Sequence, residues 1–185
     1  MDWNPHYELE GKHAFLSASK SSWINYSESK LIETYNNFYA KEMGTRLHEF
    51  AKEAILLGQK LKGDKTTLAM FVNDAIGYRM NPEQVLFYSP NCFGTADAIS
   101  FKKNLLRIHD LKTGKTPANM NQLEVYDALF CLEYGKEPEN IEHELRIYQN
   151  NEAVIHIPEQ ERIRQIMNTI INHNKIIEKL KSDWR

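Results

Sequence analysis

Asp97, Asp110 and Lys112 are the residues whose types and spacing most clearly suggest chemistry. They lie in the stretch GTADAISFKKNLLRIHDLKTGK, from Gly94 to Lys115. It reads as two β-strands, about Gly94–Phe101 and Leu105–Lys112, joined by a tight turn. Asn104 suits the positive φ that a short hairpin turn requires. A turn centred on Lys103-Asn104 sets Phe101 against Leu106, Ile99 against Ile108, Asp97 against Asp110 and Thr95 against Lys112. Period-2 alternation then puts all eight on one face, apolar near the turn and charged at the far end. Two carboxylates directly opposite each other repel across a ladder. A divalent cation between them removes the objection, and Mg²⁺ or Mn²⁺ prefers such oxygen ligands. Lys112 reaches the same small volume.

The competing interpretation is a solvated strand end. An acid-x-Lys triplet is cheap by composition, and Glu10/Lys12 and Glu28/Lys30 are two more. Neither has a strand pattern around it or a partner acid. Only Asp110/Lys112 closes an apolar strand and faces a second Asp, which favours a metal site.

Two other pairs could reach this site. Gln122 and Tyr126 stand at i and i+4, side by side on the helix that follows the hairpin. The plainer alternative makes Tyr126 core and Gln122 surface. His48 offers a ring nitrogen to a metal if its helix docks on the hairpin, with Glu49 the competing ligand. The remaining histidines form no H-E-x-x-H spacing.

The elements that must position these residues follow from periodicity and punctuation. Residues 1–18 read as irregular. Helices are expected from Ser19 or Ser22 to about Lys41, from Thr45 to before Gly63 after a break at Gly44, and over Thr66–Tyr78. Val85–Tyr88 reads as a short strand, and the central hairpin follows. Thr116-Pro117 opens a helix running to Tyr134. Strands Ile141–Tyr148 and Ala153–Ile157 flank a turn at Asn150-Asn151, and Pro158 starts a long amphipathic terminal helix.

The 185 residues allow one domain with a real core, over 1–185. Hydrophobic residues at 42% and charged residues at 26% fit a globular chain rather than a disordered one. No apolar run approaches the roughly 18 residues of a membrane span. The polar start Met1-Asp2-Trp3-Asn4 lacks a signal-peptide apolar region. Cys92 and Cys131 form no C-x-x-C, so a reducing, cytoplasmic location is expected. A net charge of −2 argues against an indiscriminate nucleic-acid coat. Locally the balance reverses. Phe101–Thr116 holds Lys102, Lys103, Arg107, Lys112 and Lys115 against the single acid Asp110. No Walker-A loop, G-x-G-x-x-G or G-x-S-x-G is present, so ATP, dinucleotide and elbow-type serine chemistry lack support.

Taken in order, the motifs resemble those of the PD-(D/E)XK nuclease superfamily, within it the RecB-like exonuclease branch. Gly44-Thr45-Arg46-Leu47-His48, followed by Glu49, resembles a G-x-x-H-E start with altered spacing. Gly94-Thr95-Ala96-Asp97 matches G-x-x-D, Asp110-Leu111-Lys112-Thr113-Gly114 matches D-x-K-T-G, and Gln122-Leu123-Glu124-Val125-Tyr126 matches Q-L-x-x-Y. The resemblance covers about residues 44–126. It implies an α/β (α+β) fold with a restriction-endonuclease-like αβββαβ core. The mixed central sheet would be flanked by helices, with extra N-terminal helices and a long C-terminal one. It also implies a Mg²⁺-dependent nuclease, Mn²⁺ substituting, that hydrolyses DNA phosphodiester bonds. Such an exonuclease would work on DNA ends or single strands in recombination, repair or replication. His48, Asp97, Asp110 and the Leu111 carbonyl would hold metal, Lys112 would orient or activate water, and Gln122 and Tyr126 would support site or substrate. Lys102, Lys103, Arg107 and Lys115 would track the DNA backbone. With two cysteines the chain resembles the branch without an iron–sulphur cluster. Standing alone, it would take DNA and a helicase, single-strand-binding or annealing protein as partners, and no membrane. The alternative is a catalytically silent nucleic-acid- or protein-binding module on the same fold.

Overall fold

A computed structural model describes residues 4, 6–63 and 65–183. The irregular opening expected over 1–18 falls partly on residues 1–3 and 5, which lie outside the described residues. The chain packs as two compact units, Met1–Thr45 and Arg46–Arg185.

In the first unit only the opening of the helix expected from Ser19 or Ser22 to about Lys41 differs, forming a 3₁₀ stretch, Ala18–Asn25. Helix α1 (Glu28–Leu56) starts after it. Ser27 supplies the cap, its Oγ accepting the Lys30 N–H at 3.3 Å. Phe15 packs edge-on against Tyr35, with ring centroids 5.1 Å apart.

The break expected at Gly44 does not occur, and α1 is helical on both sides of it. An interior glycine costs only about 1 kcal/mol relative to alanine. Burial of Ala51, Ala54 and Ile55 along the same helix outweighs that. Thr45 does not cap. Its hydroxyl donates back to the Lys41 carbonyl at 3.3 Å.

The second unit continues with α2 (Thr67–Gly77), capped by the Thr66 side chain. Strands β1 (Asn81–Ser89), β2 (Cys92–Lys102) and β3 (Leu105–Leu111) come next, then α3 (Asn121–Tyr134), β4 (Glu142–Gln149), β5 (Glu152–His156) and α4 (Gln160–Asp183). The five strands form one sheet in the order β1-β2-β3-β4-β5. Among the described residues only β3 and β4 pair in parallel, and a parallel pair needs a crossover. α3 provides it. β1 is an edge strand, where Pro82 does no harm to the ladder.

Helices cover both faces. Leu123, Leu129 and Phe130 of α3 and Ile163, Met167 and Ile170 of α4 bury Leu86, Ile99, Leu106, Ile108, Leu145 and Ile147. On the other face Phe71, Val72 and Ala75 of α2, with Ala51, Ala54 and Ile55 of α1, cover Ala98, Leu111 and Tyr148. This is the expected α/β class, a mixed sheet flanked by helices with a long C-terminal helix.

The β2–β3 hairpin has the expected register, with Phe101 opposite Leu106 and Ile99 opposite Ile108. Lys103 and Asn104 take φ +51° and +64°, the two positive values of a type I′ turn. Asn150 and Asn151 do the same between β4 and β5. Strand and helix boundaries differ from expectation most at β1 and α3. β1 begins at Asn81 rather than Val85. α3 begins at Asn121 rather than Thr116-Pro117 because Gln149 holds the intervening loop. The Gln149 amide donates to the Gly114 carbonyl at 2.6 Å and the Thr116 carbonyl at 2.8 Å, and accepts from the Ala118 N–H at 3.0 Å. Among the described residues no helix is long and apolar enough to cross a membrane.

Candidate metal centre

The hairpin ladder ends at Ala98 opposite His109, so Asp97 and Asp110 stand at its open end. Asp97 there exchanges backbone pairing for side-chain pairing, its Oδ2 accepting the Leu111 N–H at 2.8 Å. The next peptide is fixed from the other side, because the Lys112 N–H donates to the Tyr148 carbonyl of β4 at 2.9 Å. A trans peptide points its N–H and C=O in opposite directions. The Leu111 carbonyl therefore points away from β4, towards β2 and the carboxylates.

Asp110 is buried, at 2% exposure, and Lys112 is its cation. The ammonium lies 3.1 Å from Asp110 Oδ1 and 3.0 Å from Oδ2. Lys112 also donates to Gln122 Oε1 at 2.8 Å, and the Gln122 amide donates to the Tyr126 hydroxyl at 2.9 Å. Gln122 and Tyr126 thus form one connected line with Lys112. Gly94 leaves room for the last member, since a Cβ there would stand 2.8 Å from Tyr126 Cε1. Burial raises the Tyr126 hydroxyl above its ordinary range, partly offset by Gln122.

His48 projects from the part of α1 that belongs to the second unit and brings Nδ1 to 3.4 Å from Asp97 Oδ1. It sits in the middle of a long helix, not in the first turn of a separate one. Glu49, the rival ligand, is exposed, one position on and therefore about 100° around the helix. Contact with Asp97 holds the His48 imidazole above its ordinary range, against the pull of burial. Burial and then the Asp97 charge push Asp110 up, with Lys112 opposing.

Glu83 of β1 was not foreseen. Its carboxylate, a ring nitrogen of His48 and an Asp97 oxygen all lie within 4.8 Å of one another. Burial and then the Asp97 charge raise Glu83 above the usual carboxylate range. The only sequence signal was an acid in a polar run, Asn81-Pro82-Glu83-Gln84, which alone points nowhere.

Strict alternation along β2 also fails at this point. Ala96 and Ile99 both belong to the core under α3, while Ala98 belongs to the core under α2. The strand changes faces around Asp97. Gly94 faces Tyr126, so Thr95 lies on the opposite face and does not join the line of Asp97, Ile99 and Phe101.

Comparison with family models, curated proteins and solved structures returned no match. The site must therefore be read from its own chemistry.

Among the described residues the side chains whose ligand atoms lie close enough to share one ion are His48, Glu83 and Asp97; Asp110, expected as a ligand, stands outside that group and pairs with Lys112. Asp110 Oδ2 is buried and makes no hydrogen bond of good geometry among the described residues, and its charged neighbour is the Lys112 ammonium at 3.0 Å. The residues fit a small divalent cation. A groove of about 310 Å³ opens beside Lys112, floored by Leu47, Leu68 and Leu111 and rimmed by Lys115.

The other basic residues divide by position. Lys103 is exposed at the turn. Lys102 donates to the Tyr78 and Arg79 carbonyls at 3.0 and 2.8 Å, closing the C-terminus of α2. Arg107 pairs with Glu144 at 2.9 Å and lies over the Tyr78 ring. These three occupy the turn half of the hairpin, and Lys102 lies five strand residues, roughly 17 Å, from Asp97. Lys115 lines the groove beside Lys112.

Proposed function

We propose that this chain is a Mg²⁺-dependent deoxyribonuclease of the PD-(D/E)XK type. It would be an exonuclease on DNA ends or single strands, with Mn²⁺ able to replace Mg²⁺. The observation that carries the reading is the single line Asp110–Lys112–Gln122–Tyr126, beside the His48–Asp97 contact at 3.4 Å. A solvated strand end has no use for a buried carboxylate, a lysine shared between acid and amide, and a glycine that makes way for a tyrosine.

A divalent ion, when bound, would neutralise the scissile phosphate and lower the pKa of a water. Asp97, Asp110, His48 and the Leu111 carbonyl would hold it. Lys112 would place its ammonium against the developing charge on the phosphate or orient the attacking water. Gln122 would fix that ammonium, and Tyr126 would fix Gln122. Lys115 would meet the backbone phosphate next to the scissile one, and Lys103 would meet duplex or strand further out. The expected setting is the cytoplasm, in recombination, repair or replication, with a helicase, single-strand-binding or annealing protein supplying the end.

The test is cleavage of end-labelled single- and double-stranded DNA with Mg²⁺, with Mn²⁺ and with EDTA. Cleavage with either ion and none in EDTA is expected. DNA binding without cleavage under any ion would leave the silent binding module as the function.

A further inference from the structure

Glu83 sits in a conformation that its residue type does not favour. Its φ is +50° in the interior of a strand, a left-handed value that glycine or asparagine adopts far more readily than glutamate. The β1–β2 ladder pairs Pro82 with Ala98 and Gln84 with Ala96 but skips the Glu83/Asp97 step. At that same step β2 changes faces. The irregularity turns Glu83 and Asp97 out of ordinary alternation and towards His48. Backbone strain of this kind collects where a site requires it.

No hydrogen bond or ion pair explains the arrangement. Among the described residues the Glu83 carboxylate accepts no hydrogen bond and forms no ion pair, and it is aimed at another carboxylate. Like charges at that range oppose each other. His48 and then Lys52, one turn further along α1, favour the Glu83 carboxylate through charge alone, and burial and Asp97 outweigh them. A second observation points the same way. Asp110, buried to 2% exposure, adds a further negative charge near Asp97, and Lys112 at 3.0 Å is the cation paired with it.

We infer that Glu83 is a metal ligand, an edge-strand carboxylate that completes a cation site with His48 and Asp97. This rests on the metal-centre reading above and adds to it a ligand that none of the recognised motifs contains. Ligand atoms bonded to one ion at about 2.1 Å stand about 3.0 to 4.2 Å apart. The three present atoms, all within 4.8 Å, need only small side-chain rotations to close. The mixture matters for ion choice. Carboxylates alone suit Mg²⁺, whereas an imidazole in the set favours Mn²⁺ over Mg²⁺. The Glu83–His48–Asp97 corner is therefore the Mn²⁺-preferring side of the centre, and Asp110 with the Leu111 carbonyl is the oxygen-only side.

Titration calorimetry with MnCl₂ on the full chain tests it, beside melting in EDTA. Wild type should bind Mn²⁺, and Glu83→Gln should bind at least tenfold more weakly. Glu83→Asn, which removes the charge and suits φ +50°, should melt higher than wild type in EDTA and gain less on adding Mn²⁺. Equal Mn²⁺ affinity in wild type and Glu83→Gln overturns the assignment of Glu83 while leaving the centre standing. Glu83→Asn melting below wild type in EDTA would also overturn it, because Glu83 would then be a structural residue with a stabilising partner. No Mn²⁺ binding by wild type removes the whole centre, Glu83 included.

Discussion

Gly94→Ala is a sharp test because its effect can be worked from one contact. Gly94 has no need of positive φ, so alanine meets no backbone penalty there. In open space the change would stabilise the chain by about 0.4–1 kcal/mol through the unfolded state. The added Cβ would instead stand 2.8 Å from Tyr126 Cε1, about 0.6 Å short of ordinary contact. The ring belongs to a helix packed on the sheet, so it retreats at a cost of about 1–3 kcal/mol, the usual range for an overpacked core. For a chain of this size that lowers Tm by about 2 to 12 °C. The displaced ring also pulls its hydroxyl from Gln122, and Gln122 from Lys112. The assay is urea unfolding of wild type, Gly94→Ala, Tyr126→Ala and the double variant. With Tyr126 truncated the clash disappears, and the glycine replacement should cost nothing. A coupling of at least about 1 kcal/mol is expected. If Gly94→Ala costs the same in both backgrounds, Tyr126 is not what the glycine accommodates, and the line from β2 to Lys112 is misassigned.

Three further outcomes follow from the site and core. Lys112→Ala should cut DNA cleavage by two or more orders of magnitude in single-turnover assays; a near-wild-type rate would remove Lys112 from the chemistry. Asp97→Asn keeps an acceptor for the Leu111 N–H and relieves repulsion with Asp110, so melting in EDTA should be within about 1 kcal/mol of wild type. At a hundredfold excess of Mn²⁺ over Kd wild type should gain about 2.7 kcal/mol and the variant clearly less; a large loss in EDTA would make Asp97 structural. His143 and Asp127 form a buried pair 2.7 Å apart. Burial pulls the His143 imidazole down, but the Asp127 hydrogen bond and charge outweigh it and hold it above its ordinary value. A raised folded-state pKa means that its contribution is full below about pH 6.5 and drains as pH rises through the raised value. Urea midpoints should therefore fall with pH above 6.5 more steeply in wild type than in His143→Gln, and parallel curves would refute the linkage.

The hairpin was readable because three independent signals agree on one register. Apolar residues match across it, Lys103-Asn104 can take positive φ, and the charged residues collect at one end. Gln122 and Tyr126 were readable as neighbours because helical spacing is rigid. What escaped depended on contacts between distant segments. Gly44 looks like a stop until burial of Ala51, Ala54 and Ile55 is known. Pro117 looks like a helix start until Gln149, over thirty residues later, is seen holding the loop. Glu83 was invisible because its conformation contradicts its residue type. Only the pairing with β2 places it opposite Asp97.

The parallel pairing of β3 with β4 sets an order of assembly. The β2–β3 hairpin closes over a two-residue turn, an event of microseconds. β4 can join only after α3 has crossed the sheet, a closure over some thirty residues that comes later. The nascent hairpin therefore brings Asp97 and Asp110 together before the Tyr148 carbonyl has taken the Lys112 N–H and before Gln122 has reached the ammonium. Repulsion at the open end falls on the early species, and the polar groups that organise the lysine arrive with the last strand. Changes at Lys103 and Asn104 should therefore act on the speed of folding, and changes at Gln149 on the lifetime of the folded state.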